Sequence, residues 1–337
     1  MKNNKGLQGG LILCLLFLAQ WSSASTFLTN SIATSNRSPF IQLFEIASPD
    51  FHPMGMAGEN VARLQLELAN YLSFGNDPSG EELFIDGETW ISTLSLEHQI
   101  RANLSIGFQT SLRGHGEGIA DRFIFQFHDV LGLPQNGRTD DFHDRLLWRL
   151  YDRDDLKFEL DSATGGIGDT LIHLAWQSPE GAQWRFHVGL PTGNFEQQTG
   201  SEGVDLGLAW ANQNPDWLQH RQWLRESALS IWYGLGVAWL DHSPKTGNIN
   251  TNPWVASVRG GFAWRALQSW QLKVQLDSHT PLFDTNIREL GWLPVQISLA
   301  STHNIGKKTT LEWGLTEDLR PRVTPDVVFN LLLSQRF

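Results

Sequence analysis

The last stretch of the chain, residues 327–337, places apolar side chains at every second position and ends on an aromatic residue. Successive side chains of a β-strand point to opposite faces, so this spacing predicts a strand with one apolar face and one mostly polar face. The apolar face carries Val327, Phe329, Leu331, Leu333 and Phe337. Such a face must be covered, either by a second sheet in a soluble β protein or by the hydrocarbon of a membrane.

The same alternation recurs along the chain from Val61 onward. In every predicted hairpin the apolar faces of the two strands agree, as pairing in one sheet requires. Twelve strands can be counted, an even number that suits a single-chain bacterial barrel. The count becomes 14 if a segment of the loop 113–168 also crosses the membrane. Trp residues flank both ends of the strands, which favours a membrane barrel with two aromatic girdles over a soluble sandwich.

Composition narrows the class further. The chain has 337 residues, 15 Trp and a mean hydropathy of −0.25. No stretch after residue 25 approaches the roughly 20 consecutive apolar residues of a membrane-spanning helix. This excludes a bundle of such helices but not a barrel, because only alternate residues of a barrel strand face lipid. A net charge of −11 without a basic patch predicts that nucleic acid is not a partner.

The chain divides into three parts. Residues 1–25 combine two lysines, a short apolar run and a small-residue end, which predicts a cleaved signal peptide and Sec-type export to the outer membrane. Residues 26–60 form an arm that we expect to lie at the barrel mouth or to plug the lumen. Residues 61–337 form the predicted barrel. The only cysteine, Cys14, lies in the signal segment, so the mature chain has no disulfide.

The longest connection between predicted strands, residues 113–168, is assigned to the extracellular side. Ile119, Phe123, Phe127 and Val130 recur in it at helical spacing. This spacing predicts a short amphipathic helix over residues 118–131.

The C-terminal stretch resembles the closing strand of bacterial outer-membrane barrels, in which the assembly machinery reads a final Phe. By that resemblance Phe337 is an assembly signal. Four short motifs extend the likeness, and they are the Asn-x-Ser-Pro-Phe of residues 36–40, the Phe-His-Asp-Val-x-Gly-Leu-Pro of residues 127–134, the Gly-Ile-Gly-Asp of residues 166–169 and the Leu-Pro-Thr-Gly of residues 190–193. With them the chain resembles the uncharacterised domain-of-unknown-function family 3187. The resemblance implies an outer-membrane barrel, and it implies no catalytic residues.

Charged and imidazole side chains fall on the predicted inner faces of the strands. The candidate lumen-lining residues are Arg63, Glu67, Glu97, Asp169, His173, Arg185, His187, Arg259, Lys273, Asp277 and Glu312. Such a lining either sets the selectivity of a pore or closes the lumen as a network. Hairpin geometry predicts that Arg259 lies opposite Gln275 with Asp277 diagonal to it. We expect Arg259 and Lys273 to favour anions in an open pore.

These observations predict a narrow channel or uptake pore for a small solute, in contact with outer-membrane lipids, lipopolysaccharide and the barrel assembly machinery. A closed barrel with a structural or surface-interaction role is the alternative. A third reading is a membrane-embedded hydrolase, for which the run Asp140-Asp141-Phe142-His143-Asp144 supplies the carboxylates and imidazole. His173 and His187 face each other but have no evident third ligand for a metal. We therefore expect no enzyme activity and no cofactor.

Overall fold

The computed structural model describes residues 30–132, 144–214, 228–241, 251–267 and 269–337. The predicted signal peptide, Asp140, Asp141, His143 and most of the link 211–227 lie outside these residues. The strands are β1 (Asn60–Asn76), β2 (Glu81–Arg101), β3 (Leu104–Gly116), β4 (Leu147–Asp152), β5 (Asp155–Leu160), β6 (Thr164–Ile167), β7 (Thr170–Gln177), β8 (Gln183–Leu190), β9 (Asp205–Gln213), β10 (Leu229–Leu240), β11 (Trp254–Leu267), β12 (Trp270–His279), β13 (Val295–Asn304), β14 (Thr309–Asp318) and β15 (Val327–Arg336).

Twelve of these strands close into an antiparallel barrel, which confirms the predicted fold class and strand count. Neighbours in sequence pair from β7 to β15, β15 pairs with β1, and the ring is completed through β2, β3 and β7. The remaining three strands extend the wall at one end. There β4 pairs with the start of β2, β5 pairs with β4, and β6 pairs with the end of β3.

Short turns and both barrel termini lie at one end, which is the periplasmic end of barrels of this type. The opposite, extracellular end carries β4 to β6 and the longer connections. It also carries α1 (Asp121–Leu131) in the long loop and α2 (Arg288–Gly291) between β12 and β13. The predicted helix is therefore confirmed, although it begins at Asp121, three residues later than predicted. The Glu88 carboxylate accepts the N–H groups of Ile119 and Ala120 just before it. Neither helix is long and apolar enough to cross a membrane.

One hairpin keeps the predicted register. His173 pairs with His187, as predicted, and Trp176 pairs with Trp184 at the periplasmic border. Trp184 in turn pairs with Trp210, so three indoles lie side by side on the outer face. This row is part of the predicted aromatic girdle.

In two other hairpins the predicted register is wrong, although the faces are right. The sequence predicted a turn near Ile100, which would place Ile106 opposite Leu94, but Leu94 pairs with Thr110. β2 continues to Arg101 and β3 begins at Leu104, so the turn lies about two residues later than predicted and every pair is displaced.

The second shifted hairpin joins β11 and β12. Arg259 pairs directly with Asp277, whereas the sequence predicted Gln275 opposite Arg259. The two strands pair as far as Leu267 and Trp270, so the hairpin is centred later in the chain than predicted. Arg259 and Asp277 are consequently direct neighbours rather than diagonal ones.

Large apolar side chains on the outer face remain exposed to the lipid side. Leu174 is 43% exposed there, between the apolar side chains of Ile106 and Phe186 on the flanking strands. We expect Leu174→Arg to destabilise the barrel by about 1–3 kcal/mol, because the position faces lipid between the bilayer midplane and the periplasmic row of indoles, and the cost of an arginine falls with distance from the midplane. Urea unfolding in lipid vesicles measures this loss, and an unchanged midpoint would show that the outer face is assigned wrongly.

A matched inward replacement is the natural control, and the alternation alone predicts that Gln275→Arg costs much less than an outward arginine. The structure makes Gln275 a poor control, because its buried amide bonds to both the N–H and the carbonyl of Ile32. Ser95, which faces a cavity in the lumen, is the better choice. We expect Ser95→Arg to cost less than Leu174→Arg.

Candidate functional site: the barrel lumen

Residues 30–52 of the N-terminal arm run through the interior of the barrel and bond to inward-facing side chains. The Gln275 amide accepts from Ile32 N (2.9 Å) and donates to Ile32 O (3.0 Å). The Gln183 amide does the same to His52, at 3.1 Å and 2.8 Å. A primary amide carries a donor and an acceptor side by side, so each glutamine pairs with the N–H and the carbonyl of one residue, as a neighbouring strand would.

The arm goes up the lumen and comes back. Pro53 O lies 3.5 Å from an Arg336 nitrogen near the periplasmic end. At the extracellular end, Phe40 packs on aromatic residues of β4 and β5. Asn30 lies again near the periplasmic turns, where it lines a cavity with Lys307. Two passes of chain therefore share the interior with the side chains of the wall.

On the wall formed by β1 and β2, the predicted lining residues are paired. Glu67 accepts from Nε and Nη2 of Arg37 in the arm, at 3.1 Å and 2.5 Å. Arg63 Nη1 donates to Glu97 Oε2 at 2.8 Å, and Ser105 Oγ donates to Glu97 Oε1 at 2.6 Å. Both carboxylates thus have close donors.

On the opposite wall, formed by β11, β12 and β14, the charges also neutralise one another. The Arg259 guanidinium donates to Asp277 and to Asp50 of the arm. Lys273 Nζ donates to Glu312 Oε2 at 2.6 Å. Arg259 and Lys273 are therefore already engaged, and neither presents an unpaired charge to the lumen.

The wall formed by β7 and β8 carries the other predicted residues. Asp169 Oδ1 accepts from Gly193 N at 2.7 Å. His173 and His187 lie flat against the neighbouring strands, and glycines make room for them. A Cβ at Gly107 would lie 2.2 Å from His173 Cε1, and one at Gly207 would lie 2.1 Å from His187 Cε1.

Arg185, two residues before His187 on β8, differs from the other lumenal cations. Its Nε and Nη2 are buried and have no hydrogen-bond acceptor among the described residues. Both ring nitrogens of His173 are likewise buried and have no hydrogen-bond partner among the described residues. The described His, Cys, Asp and Glu residues form no group of three that could hold a metal ion.

Two polar cavities remain beside the arm. The inner cavity, of about 130 Å³, is lined by the arm and by β1, β2, β3, β7, β8 and β15, with Arg185 on its wall. The periplasmic cavity, of about 120 Å³, is lined by the turn that contains Lys307 and by Arg336. His52 and Arg63 line both cavities, so the two adjoin.

The extracellular mouth is apolar instead. Phe40, Ile41, Leu43 and Phe44 of the arm belong to one buried cluster with residues of β4, β5 and the connection after β12. This cluster includes Leu290 of α2. The hydrophobic effect makes such a cluster the most stable part of the arm's contact with the barrel.

The structure places the eleven candidate side chains toward the interior, and the alternation gave no sign of their partners. Asp50, Arg37 and the two glutamine clamps were not predicted. The single arginine and the two acidic residues within residues 30–52 of the arm are the signal that could have indicated them.

Similarity to known proteins points to the same fold. A family model described as "Protein of unknown function (DUF3187)" matches residues 10–337. No curated protein matches the chain. Among solved structures, the COG4313 outer membrane channel from Pseudomonas putida F1 is 12% identical with a TM-score of 0.51, over 85% of this chain and 98% of that chain. The toluene transporter TbuX from Ralstonia pickettii is 11% identical with a TM-score of 0.40, over 84% and 90%.

At this identity the likeness to the Pseudomonas channel is one of fold, and it supports an outer-membrane location for the barrel. The family model spans almost the entire chain, and the short motifs of the sequence lie within the matched range. The protein is a member of the DUF3187 family, and its fold is a twelve-stranded outer-membrane β-barrel.

Proposed function

We propose that this barrel is an outer-membrane channel for a small polar solute, and that the N-terminal arm controls its lumen. The observation that carries the proposal is the pair of adjoining polar cavities, which share His52 and Arg63. A barrel with a purely structural role gains stability by filling its interior, since voids forfeit packing contacts. Here space is left beside charged and amide side chains, where a solute with polar groups can be solvated.

The arm's contacts with the middle of the barrel suit a movable element. They are hydrogen bonds and ion pairs, as between Ile32 and Gln275 or Arg37 and Glu67. When the arm moves, water or a polar solute takes over such bonds, so the net free energy of each exchange is small. The Pseudomonas barrel that shares this fold is named an outer membrane channel, which agrees with the proposal.

A closed barrel with a structural role is the second candidate. The observation that favours it is the apolar cluster across the extracellular mouth, which contains Phe40 and Phe44. Passage of a polar solute requires this cluster to part. The two candidates therefore differ in whether the arm moves in the wild-type protein.

A reversible lock on the arm tests this difference. Thr34 Oγ1 of the arm lies 3.5 Å from Thr316 Oγ1 of β14, close enough for cysteines at both positions to form a disulfide. The predicted mature chain has no cysteine of its own, so the bond would be unique. We expect the variant Thr34→Cys/Thr316→Cys to admit small solutes into liposomes when reduced and to stop when oxidised.

The single variant Thr34→Cys is the matched control, and its flux should not respond to oxidant. A wild-type barrel that passes no solute, together with equal flux from the reduced and oxidised double variant, would leave the structural role as the function.

A further inference from the structure

We infer that the inner cavity is a binding site for a small carboxylate anion, recognised by Arg185. This inference rests on the proposed channel function and names the class of solute. It begins from a difference among the cations of the lumen. Each of Arg37, Arg63 and Lys273 has a carboxylate oxygen within 2.8 Å, and Arg259 is held by two aspartates.

Arg185 has no such partner among the described residues. The Glu97 carboxylate stabilises the positive charge of Arg185 electrostatically, and the positive charge of Arg63 destabilises it. Glu97 is already bonded to Arg63 and Ser105. A buried charge is costly unless it is paired and hydrogen-bonded, so this guanidinium is incomplete without an anion.

The two unpaired nitrogens of Arg185 define the ligand. Nε and Nη2 lie on one edge of the guanidinium, and together they form the fork that binds both oxygens of a carboxylate. His173 is a diagonal neighbour on the same inner face, and its ring nitrogens also lack protein partners. A neutral imidazole supplies one further donor without adding charge.

The strands beside Arg185 leave room for a ligand. Its direct cross-strand neighbours are Ala175 and Ala209, which present only a methyl group each. The cavity of about 130 Å³ exceeds the space of a single water several-fold, which suits an organic acid of a few heavy atoms.

The arm is the cover of this site. His52 lines the cavity with Arg185, and its backbone is bonded to Gln183, two residues before Arg185 on the same face. Because Nε and Nη2 are buried, an anion reaches them only when the side chain or the arm segment at His52 moves. Where the arm segment is the part that moves, binding of the anion and release of this segment are coupled.

The test compares an anion with a neutral molecule of the same shape. Saturation-transfer NMR on the folded full-length barrel in detergent should show binding of acetate and none of acetamide. We expect Arg185→Gln to weaken acetate binding about tenfold or more, which is the loss of a charge-assisted fork. Arg185→Lys keeps the charge and loses the fork, and it should also weaken binding.

The matched control removes an equal charge from outside the cavity. Arg153 lies between β4 and β5 with its side chain 81% exposed, so Arg153→Gln should leave acetate binding unchanged. Equal binding of acetate by wild type and both Arg185 variants, or equal binding of acetamide, overturns the inference.

Liposome flux separates this result from the channel function. Flux that does not depend on Arg185, without acetate binding, removes the anion site and keeps the channel. Arg185-dependent binding without flux keeps the site and removes the channel.

Discussion

Deletion of Phe337 should sharply lower the amount of barrel in the outer membrane and leave protein in the periplasm. The backbone N–H and carbonyl of Phe337 both pair with Asn60, each at 3.0 Å, at the seam where β15 meets β1. The side chain is 59% exposed at this border, so its packing alone predicts a modest effect. The larger expected loss comes from its role as an assembly signal, which the resemblance to closing strands implies.

Two variants serve as controls in the same fractionation and immunoblot. Phe337→Tyr keeps an aromatic end and both backbone bonds, and it should retain normal levels. Trp184→Ala removes an exposed aromatic side chain from the same membrane border without touching the chain end, and it should have little effect. Normal outer-membrane levels of the deletion would show that Phe337 is not a signal.

Replacement of Lys273 alone by Met should cost about 3–5 kcal/mol of folding free energy, because it leaves a buried carboxylate without its cation. The side chains of Lys273 and Glu312 are 0% and 3% exposed, and their charged atoms lie 2.6 Å apart. Thr302 Oγ1 also donates to Glu312 Oε2, at 2.8 Å, so the pair sits within a hydrogen-bonded group. Chemical unfolding in lipid vesicles measures the loss.

The double variant Lys273→Met/Glu312→Leu is the control, since replacing both partners by apolar groups of similar volume often costs little. A single variant as stable as wild type would contradict the buried pair.

The same reasoning changes the expectation for Arg259 and Lys273. Since both side chains are held in ion pairs, replacing them with Gln should lower the stability of the barrel. The same replacement should not change the ion selectivity of a pore.

Alternation of side chains predicted the barrel, the strand count and the inward faces, because a period of two directly reports which face a residue occupies. It could not predict which side chain lies beside which, since alternation does not fix the residue at which a hairpin is centred, as the pairing of Arg259 with Asp277 shows. It also could not separate Arg185 from Arg259. Both are inward arginines in the sequence, and only the path of the arm supplies Asp50 to one and no carboxylate to the other.

The arm is an intramolecular ligand of the barrel wall, because both belong to the same chain. It joins β1 through a few residues, and Gly58 N of this link is fixed to Gln99 O at 2.8 Å. A short link holds a segment near its site at an effective concentration on the order of millimolar, whatever the dilution of the protein. A solute that binds where the arm binds therefore competes with this constant effective concentration of the arm. The solute concentration at which half of the barrels release the arm depends on the length of the link as well as on the affinity of the wall.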